Sequence, residues 1–114
     1  MGVIQHNAVI ATTWSREEFA RVESWIASTV PTDHRDLFKL TNVVANGYRT
    51  IVLCPDGSKE GWRLSDECDK LREKFIVELK RNDYEDGSSP WAYVDISFGE
   101  FGVNIEATNQ KNLM

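Results

Sequence analysis

Asn46-Gly47-Tyr48-Arg49-Thr50-Ile51-Val52-Leu53 joins a turn dipeptide to a run of β-branched and aromatic residues. Residues 39–45, on the other side of Asn46-Gly47, also have strand character. Asn-Gly between two such runs signals a type I′ hairpin, because that turn needs positive φ at both central positions. Pro55-Asp56-Gly57 closes the second run in another turn. Strands joined by hairpins pair antiparallel, so an antiparallel sheet is expected.

Upstream, residues 7–14 (Asn-Ala-Val-Ile-Ala-Thr-Thr-Trp) form a small, apolar stretch that suits a strand. Ser15-Arg16-Glu17-Glu18 then has the pattern of a capping box, in which the serine hydroxyl accepts an orphan N–H and Glu18 reaches back. Phe19, Val22, Ile26 and Val30 recur at helical spacing, with Trp25 widening the stripe. The helix is expected to run to about Ser28 and to stop near Pro31, since proline disfavours helix in the residue before it. Residues 32–36 read as a charged loop.

Downstream, Ser65-Asp66-Glu67 opens a second helix, with Ser65 as N-cap and acids where the helix dipole favours negative charge. Cys68, Leu71, Phe75, Ile76 and Leu79 form its apolar stripe, and Lys70, Glu73, Lys74, Glu78 and Lys80 its solvated face. Residues 91–98 alternate, with Ala92, Val94, Ile96 and Phe98 expected on the core side and Trp91, Tyr93, Asp95 and Ser97 on the other. Residues 103–107 alternate again, and the polar tail from Thr108 is expected to be mobile unless a partner fixes it.

The order is β-α-β-β-α-β-β over a single domain, residues 1–114. That is an α+β fold: a mainly antiparallel sheet of four to five strands with two helices on one face. The uncovered face would carry Trp91, Tyr93 and Asn104, and large exposed aromatics mark a ligand site or an interface.

Composition narrows the function. Lys plus Arg total 13 against 18 Asp plus Glu, a formal net charge of -5, which argues against duplex nucleic acid as a partner. A local Lys/Arg pocket for one small anion remains compatible with that balance. Cys54 and Cys68 match no zinc or redox spacing and read as free, structural thiols in a reducing compartment. No signal-peptide pattern and no apolar run near the ~20 residues of a membrane span are present, so a soluble cytosolic protein is expected.

His6 and His34 are the only histidines, and neither has a second ligand at metal spacing. Asp56, Glu60, Asp66, Glu67 and Asp69 are dense but lack the spacing of a calcium loop, so turn and helix-start roles explain them. No strained nucleophile motif is visible. Gly57-Ser58-Lys59 places a free backbone, a hydroxyl and a cation side by side, yet alone it reads as a strand-to-helix turn. Trp62 reads as a packing residue ahead of the second helix. Arg49, Arg63 and Arg72 are surface or ion-pair residues, of which one or two could clamp a phosphate through the guanidinium fork. Trp91 and Tyr93 carry the sharper expectation, because a base stacked on such a ring gains roughly 1–3 kcal/mol. Burial at a subunit contact is the rival, and a pocket between subunits reconciles the two.

Taken together, Asn46-Gly47-Tyr48, the string Pro55-Asp56-Gly57-Ser58-Lys59-Glu60-Gly61-Trp62, Ser65-Asp66 and its helix, Asp86-Gly87-Ser88-Ser89 and Trp91-Ala92-Tyr93-Val94 resemble the Thoeris anti-defence protein 1 family of phage proteins. The likeness spans about residues 6–107. It implies a homo-oligomeric, non-enzymatic sponge, often a hexamer, without cofactor or metal, acting in the cytoplasm of the infected bacterial host. Such a protein sequesters a cyclic ADP-ribose isomer made by a TIR enzyme, and some members also hold cyclic di- or trinucleotides at separate sites. The family pocket, an aromatic with Asn and Arg at subunit contacts, implies Trp91 and Asn104 here. Tyr93, Arg49, Arg63, Arg72 and Lys59 complete the ligand-binding set taken from the residues themselves. The Lys111 tail has fewer basic residues than a trinucleotide site of that family. Two other functions stay open: an enzyme cleaving such a signal through Asp95 or Asp56, and an inhibitor docking its aromatic face on a host factor.

Overall fold

The structure is a computed structural model, described here for residues 4–41, 45–59 and 61–110. Among these residues the order is β1 (Gln5–Thr13), α1 (Arg16–Thr29), α2 (Thr32–Arg35), β2 (Phe38–Leu40), β3 (Arg49–Leu53), α3 (Arg63–Lys80), β4 (Trp91–Gly99) and β5 (Asn104–Thr108). The strands form one sheet in the order β2-β3-β1-β4-β5, antiparallel throughout. It is an α+β fold. β3 lies between β2 and β1, and β1 lies between β3 and β4, which makes two interlocked split β-α-β units. That is the ferredoxin-like connectivity, with β5 added at one edge.

The turn forms at Asn46-Gly47, but β2 ends at Leu40 and β3 begins at Arg49, so it lies within a longer connection instead of joining the two strands directly. Asn46 and Gly47 both have positive φ, 54° and 74°, and the Tyr48 N–H donates to the Ala45 carbonyl. Residues 42–44, inside the expected strand 39–45, lie outside the described residues, as do Glu60 and Lys111. The cap of α1 also forms: the Ser15 hydroxyl accepts from the Glu18 N–H. α3 starts earlier than expected. Its N-cap is Trp62, and Ser65 is buried inside the first turn instead of capping it. The charged stretch after Pro31 winds into the short helix α2.

The core lies between one face of the sheet and the two long helices. Val9 and Ala11 of β1, Ile51 and Leu53 of β3, and Trp91 and Tyr93 of β4 meet Phe19, Val22 and Ile26 of α1 and Leu71, Phe75 and Leu79 of α3. The alternation of β4 is therefore real, but its phase is opposite to expectation. Trp91, Tyr93, Asp95 and Ser97 point at the helices, and Ala92, Val94, Ile96 and Phe98 point away. The reason is volume. The indole and the phenol fill the gap between sheet and helices that alanine and valine would leave open.

Candidate functional site

Trp91 is 1% exposed, and its indole N–H donates to Glu18 Oε1 at 3.1 Å. Glu18 is itself a hub. It accepts from Arg21 and from the Asn82 amide as well, and these donors, Arg21 foremost, hold its carboxyl below the usual range against the opposing effect of burial. Tyr93 is also buried, and burial pushes its phenol up. The expectation that Trp91 and Tyr93 stand on an open face is thus corrected: both rings lie in the core between sheet and helices, and Trp91 ties the sheet to α1 through Glu18.

The remaining expected positions do not converge. Asn104 is exposed on the outer strand opposite Ser97, six residues along β4 from Trp91, or about 20 Å at ~3.3 Å per residue. Arg49 sits half-buried with its guanidinium 5.6 Å from the Phe19 ring centroid. Arg63 is exposed and pairs with Glu67 at 3.1 Å. The Lys59 ammonium lies 5.9 Å from the Trp62 ring centroid, beside the start of α3.

Arg72 leads to a polar cluster that the sequence names only in pieces. It is buried on α3 and donates to Asp69 of the same helix. Asp95 of β4 feels both charges. One of its carboxylate oxygens is buried with no hydrogen-bond partner, and burial raises its pKa, with Arg72 opposing and Glu106 and Asp69 adding to the rise. Buried Ser97 donates to Glu106 at 2.7 Å. Ser58 donates to Asp56 at 2.5 Å, and burial together with Asp56 pushes the Cys68 thiol up to about 11. That thiol is inert at neutral pH, consistent with the structural role expected of it. Both cysteines are free.

A concavity lies elsewhere, on the outer side of the helical layer. Trp25, Thr29 and Val30 of the α1 end, Asp33 and His34 of α2, and Lys70, Leu71 and Lys74 of α3 surround a cavity of about 340 Å³. A shallower hollow of about 420 Å³ continues it along α3 and shares Trp25 and Lys74. Trp25 is half-buried, parallel to Phe75 at 6.3 Å between centroids with an 8° interplanar angle, and edge-on to Phe38 at 6.3 Å. Lys70 and Lys74 are one helical turn apart on the same side of α3. The His34 ring lies 3.7 Å from Glu67 at the rim. An apolar wall, an aromatic ring and two lysines, set among the carboxylates of Asp33 and Glu67, give a lining of mixed charge that suits a ring-bearing ligand whose anionic group sits at the lysines.

Sequence reasoning assigned these residues to other jobs. Trp25 reads as stripe, His34 as loop and the lysines as a solvated face. The groove exists only because α1 packs beside α3, a non-local event that no spacing within either helix records. Among the described residues no group of His, Cys, Asp and Glu could hold a metal ion, and no helix is long and apolar enough to cross a membrane. Comparison with protein-family models, with curated proteins and with solved structures finds no match.

Proposed function

We propose that the chain is a sequestering binder of a cyclic nucleotide signal, of the cyclic ADP-ribose type that the resemblance to the Thoeris anti-defence protein 1 family implies, and that the groove between α1 and α3 is where it holds the ligand. The proposed setting is the cytoplasm of a phage-infected bacterium, where removing the messenger blocks TIR-based signalling without any catalysed step. The observation that carries this is the groove itself: a concavity of about 340 Å³ with Trp25 in its wall and Lys70 and Lys74 on α3, beside the carboxylates of Asp33 and Glu67, which can accept from ribose hydroxyls. Its volume falls at the lower end of ordinary ligand pockets, about 300–1,000 Å³. The adjoining hollow, lined by Glu73 and Glu78 as well as Trp25, Val77 and Lys74, extends it for an uncharged base or ribose. Lysine binds phosphate as a point charge, without the planar geometry of arginine, so a flexible pyrophosphate fits two lysines a turn apart. Self-association belongs to the same proposal, as does the capture of cyclic di- or trinucleotides.

The test is capture and release. The protein is mixed with cyclic ADP-ribose isomers, freed of unbound ligand, heat-denatured, and the supernatant identified by mass. Intact ring in the supernatant supports sequestration. A linear product means catalysis. A supernatant that is empty for every isomer rejects the proposal. Lys70→Ala with Lys74→Ala is expected to abolish the released ligand while leaving the fold intact, because both side chains are exposed.

One observation favours cleavage as a second reading. Asp95, a carboxylate the sequence offers for that role, has a raised pKa, a mark of general acids. Against it, the unpartnered oxygen of Asp95 is enclosed, and the residue lies under α3, away from the groove. The linear product named above would establish it.

A further inference from the structure

The chain holds three dipeptides in which Asn or Asp precedes glycine: Asn46-Gly47, Asp56-Gly57 and Asp86-Gly87. Such pairs carry their own chemistry, because the backbone nitrogen of the second residue can attack the side-chain carbon Cγ of the first and close a cyclic imide. A glycine in second place leaves that approach open, having no Cβ to block it. All three glycines have positive φ and nothing within 4 Å of an added Cβ, so room alone does not separate the sites. The side chain before each glycine does. Asp56 accepts the Ser58 hydroxyl at 2.5 Å, which fixes its carboxylate. Asp86 accepts the hydroxyl and the backbone N–H of Ser88, at 2.6 and 2.9 Å, and these donors, the hydroxyl foremost, hold its carboxyl below the usual range. A carboxyl kept ionised is a poor electrophile. Asn46 is a neutral amide on an exposed turn. Among the described residues, the hydrogen bonds of that connection join Tyr48 to Ala45 and Thr50 to Thr41, and neither the Asn46 amide nor the Gly47 N–H takes part.

We infer that Asn46 is a site of spontaneous covalent modification, where the side-chain amide is lost as ammonia and the turn between β2 and β3 comes to hold aspartate or isoaspartate. The Gly47 nitrogen forms a bond to Asn46 Cγ, the Cγ–Nδ2 bond breaks, and the proton of the attacking N–H leaves with the ammonia. Water then opens the imide. Attack at Cγ restores the main chain with an aspartate side chain. Attack at the main-chain carbonyl leaves the chain running through Cγ, which is isoaspartate. Water is the one co-reactant. The two products differ in consequence. Asp-Gly suits the same turn as Asn-Gly, so aspartate adds a negative charge and keeps the backbone. Isoaspartate adds a main-chain carbon to the connection between strands that pair at three positions, Phe38–Leu40 with Ile51–Leu53. Phe38 stands edge-on to Trp25 and Phe75, at 6.3 and 5.2 Å between centroids, so loosening β2 reaches the aromatic cluster behind the groove. The inference rests on the turn alone, and ligand capture plays no part in it.

Incubation of the folded full chain at mildly alkaline pH, followed by proteolytic mass mapping, tests it. The peptide holding Asn46 is expected to gain about 1 Da and to convert at least ~10-fold faster than those holding Asn7 or Asn104, whose next residues carry a Cβ. Enzymatic methylation of isoaspartate is expected to label position 46 and to leave Asp56 and Asp86 unlabelled. Asn46→Gln moves the amide one carbon further from the Gly47 nitrogen and is expected to stay unconverted. Should that variant not fold, Gly47→Ala, with a Cβ beside the attacking nitrogen, gives the same readout. Asn46→Asp separates charge from backbone: it is expected to melt with the wild type, while the isoaspartate fraction, isolated by anion exchange, melts at a lower temperature. A folded wild type whose Asn46 converts no faster than Asn7 overturns the inference. So does methyl label that falls on Asp56 or Asp86 instead.

Discussion

Trp91 shows how side-chain size overrides pattern. Both phases of β4 contain apolar residues, so alternation alone leaves the orientation open, and the larger pair takes the space under the helices. The expected consequence is structural. Trp91→Ala lowers stability by about 3–5 kcal/mol in urea unfolding, the range for deleting a buried aromatic. Trp91→Phe keeps most of the packing but removes the donor to Glu18, at a cost of about 1 kcal/mol. Asp95 gives the opposite sign. Its folded pKa is raised by burial, so its proton is held more tightly in the native state. The destabilisation is absent below the unfolded value of ~3.9, grows as pH rises toward the folded pKa, and is complete above it. Asp95→Asn is therefore expected to be more stable than the wild type at pH 7, with the gap closing toward pH ~4. Chemical denaturation at several pH values reads this directly, and an equal gap at all pH values would contradict it.

At the scale of elements, short-range chemistry was legible and long-range choice was not. Ser15 caps α1, and Asn46-Gly47 makes its turn, because each feature needs only a few neighbouring atoms. Ser15→Ala is expected to cost about 1 kcal/mol. Gly47→Ala is expected to cost a further 1–2 kcal/mol or so, since a Cβ at φ 74° is strained even in open space. The two losses should add within ~0.5 kcal/mol in the double variant, the sites being far apart. The start of α3 was misplaced because the helix begins a turn earlier, after Trp62, which leaves Ser65 buried inside the first turn instead of at its end. The same limit applies to the site. Arg72 and Asp95 were each visible as candidates, but only the packing of α3 on β4 brings them together, while Asp56 meets Ser58 and Cys68. Trp25, His34, Lys70 and Lys74 carried no signal at all, because a groove between two helices is a property of the pair.

For the whole molecule, the sheet divides the surface into two sides. One is the strand face turned away from the helices. The other is the helical layer with its groove, assigned to a charged, ring-bearing ligand. The most direct measurement on that central assignment is isothermal titration of the folded protein with a panel of cyclic ADP-ribose isomers and cyclic dinucleotides, repeated on the Lys70→Ala/Lys74→Ala variant. The expected result is saturable binding of at least one ring compound, one per groove, weakened at least tenfold by the double substitution, which is about 1.4 kcal/mol. No heat from any member of the panel with a well-folded sample, or binding that the lysine variant leaves untouched, would contradict it.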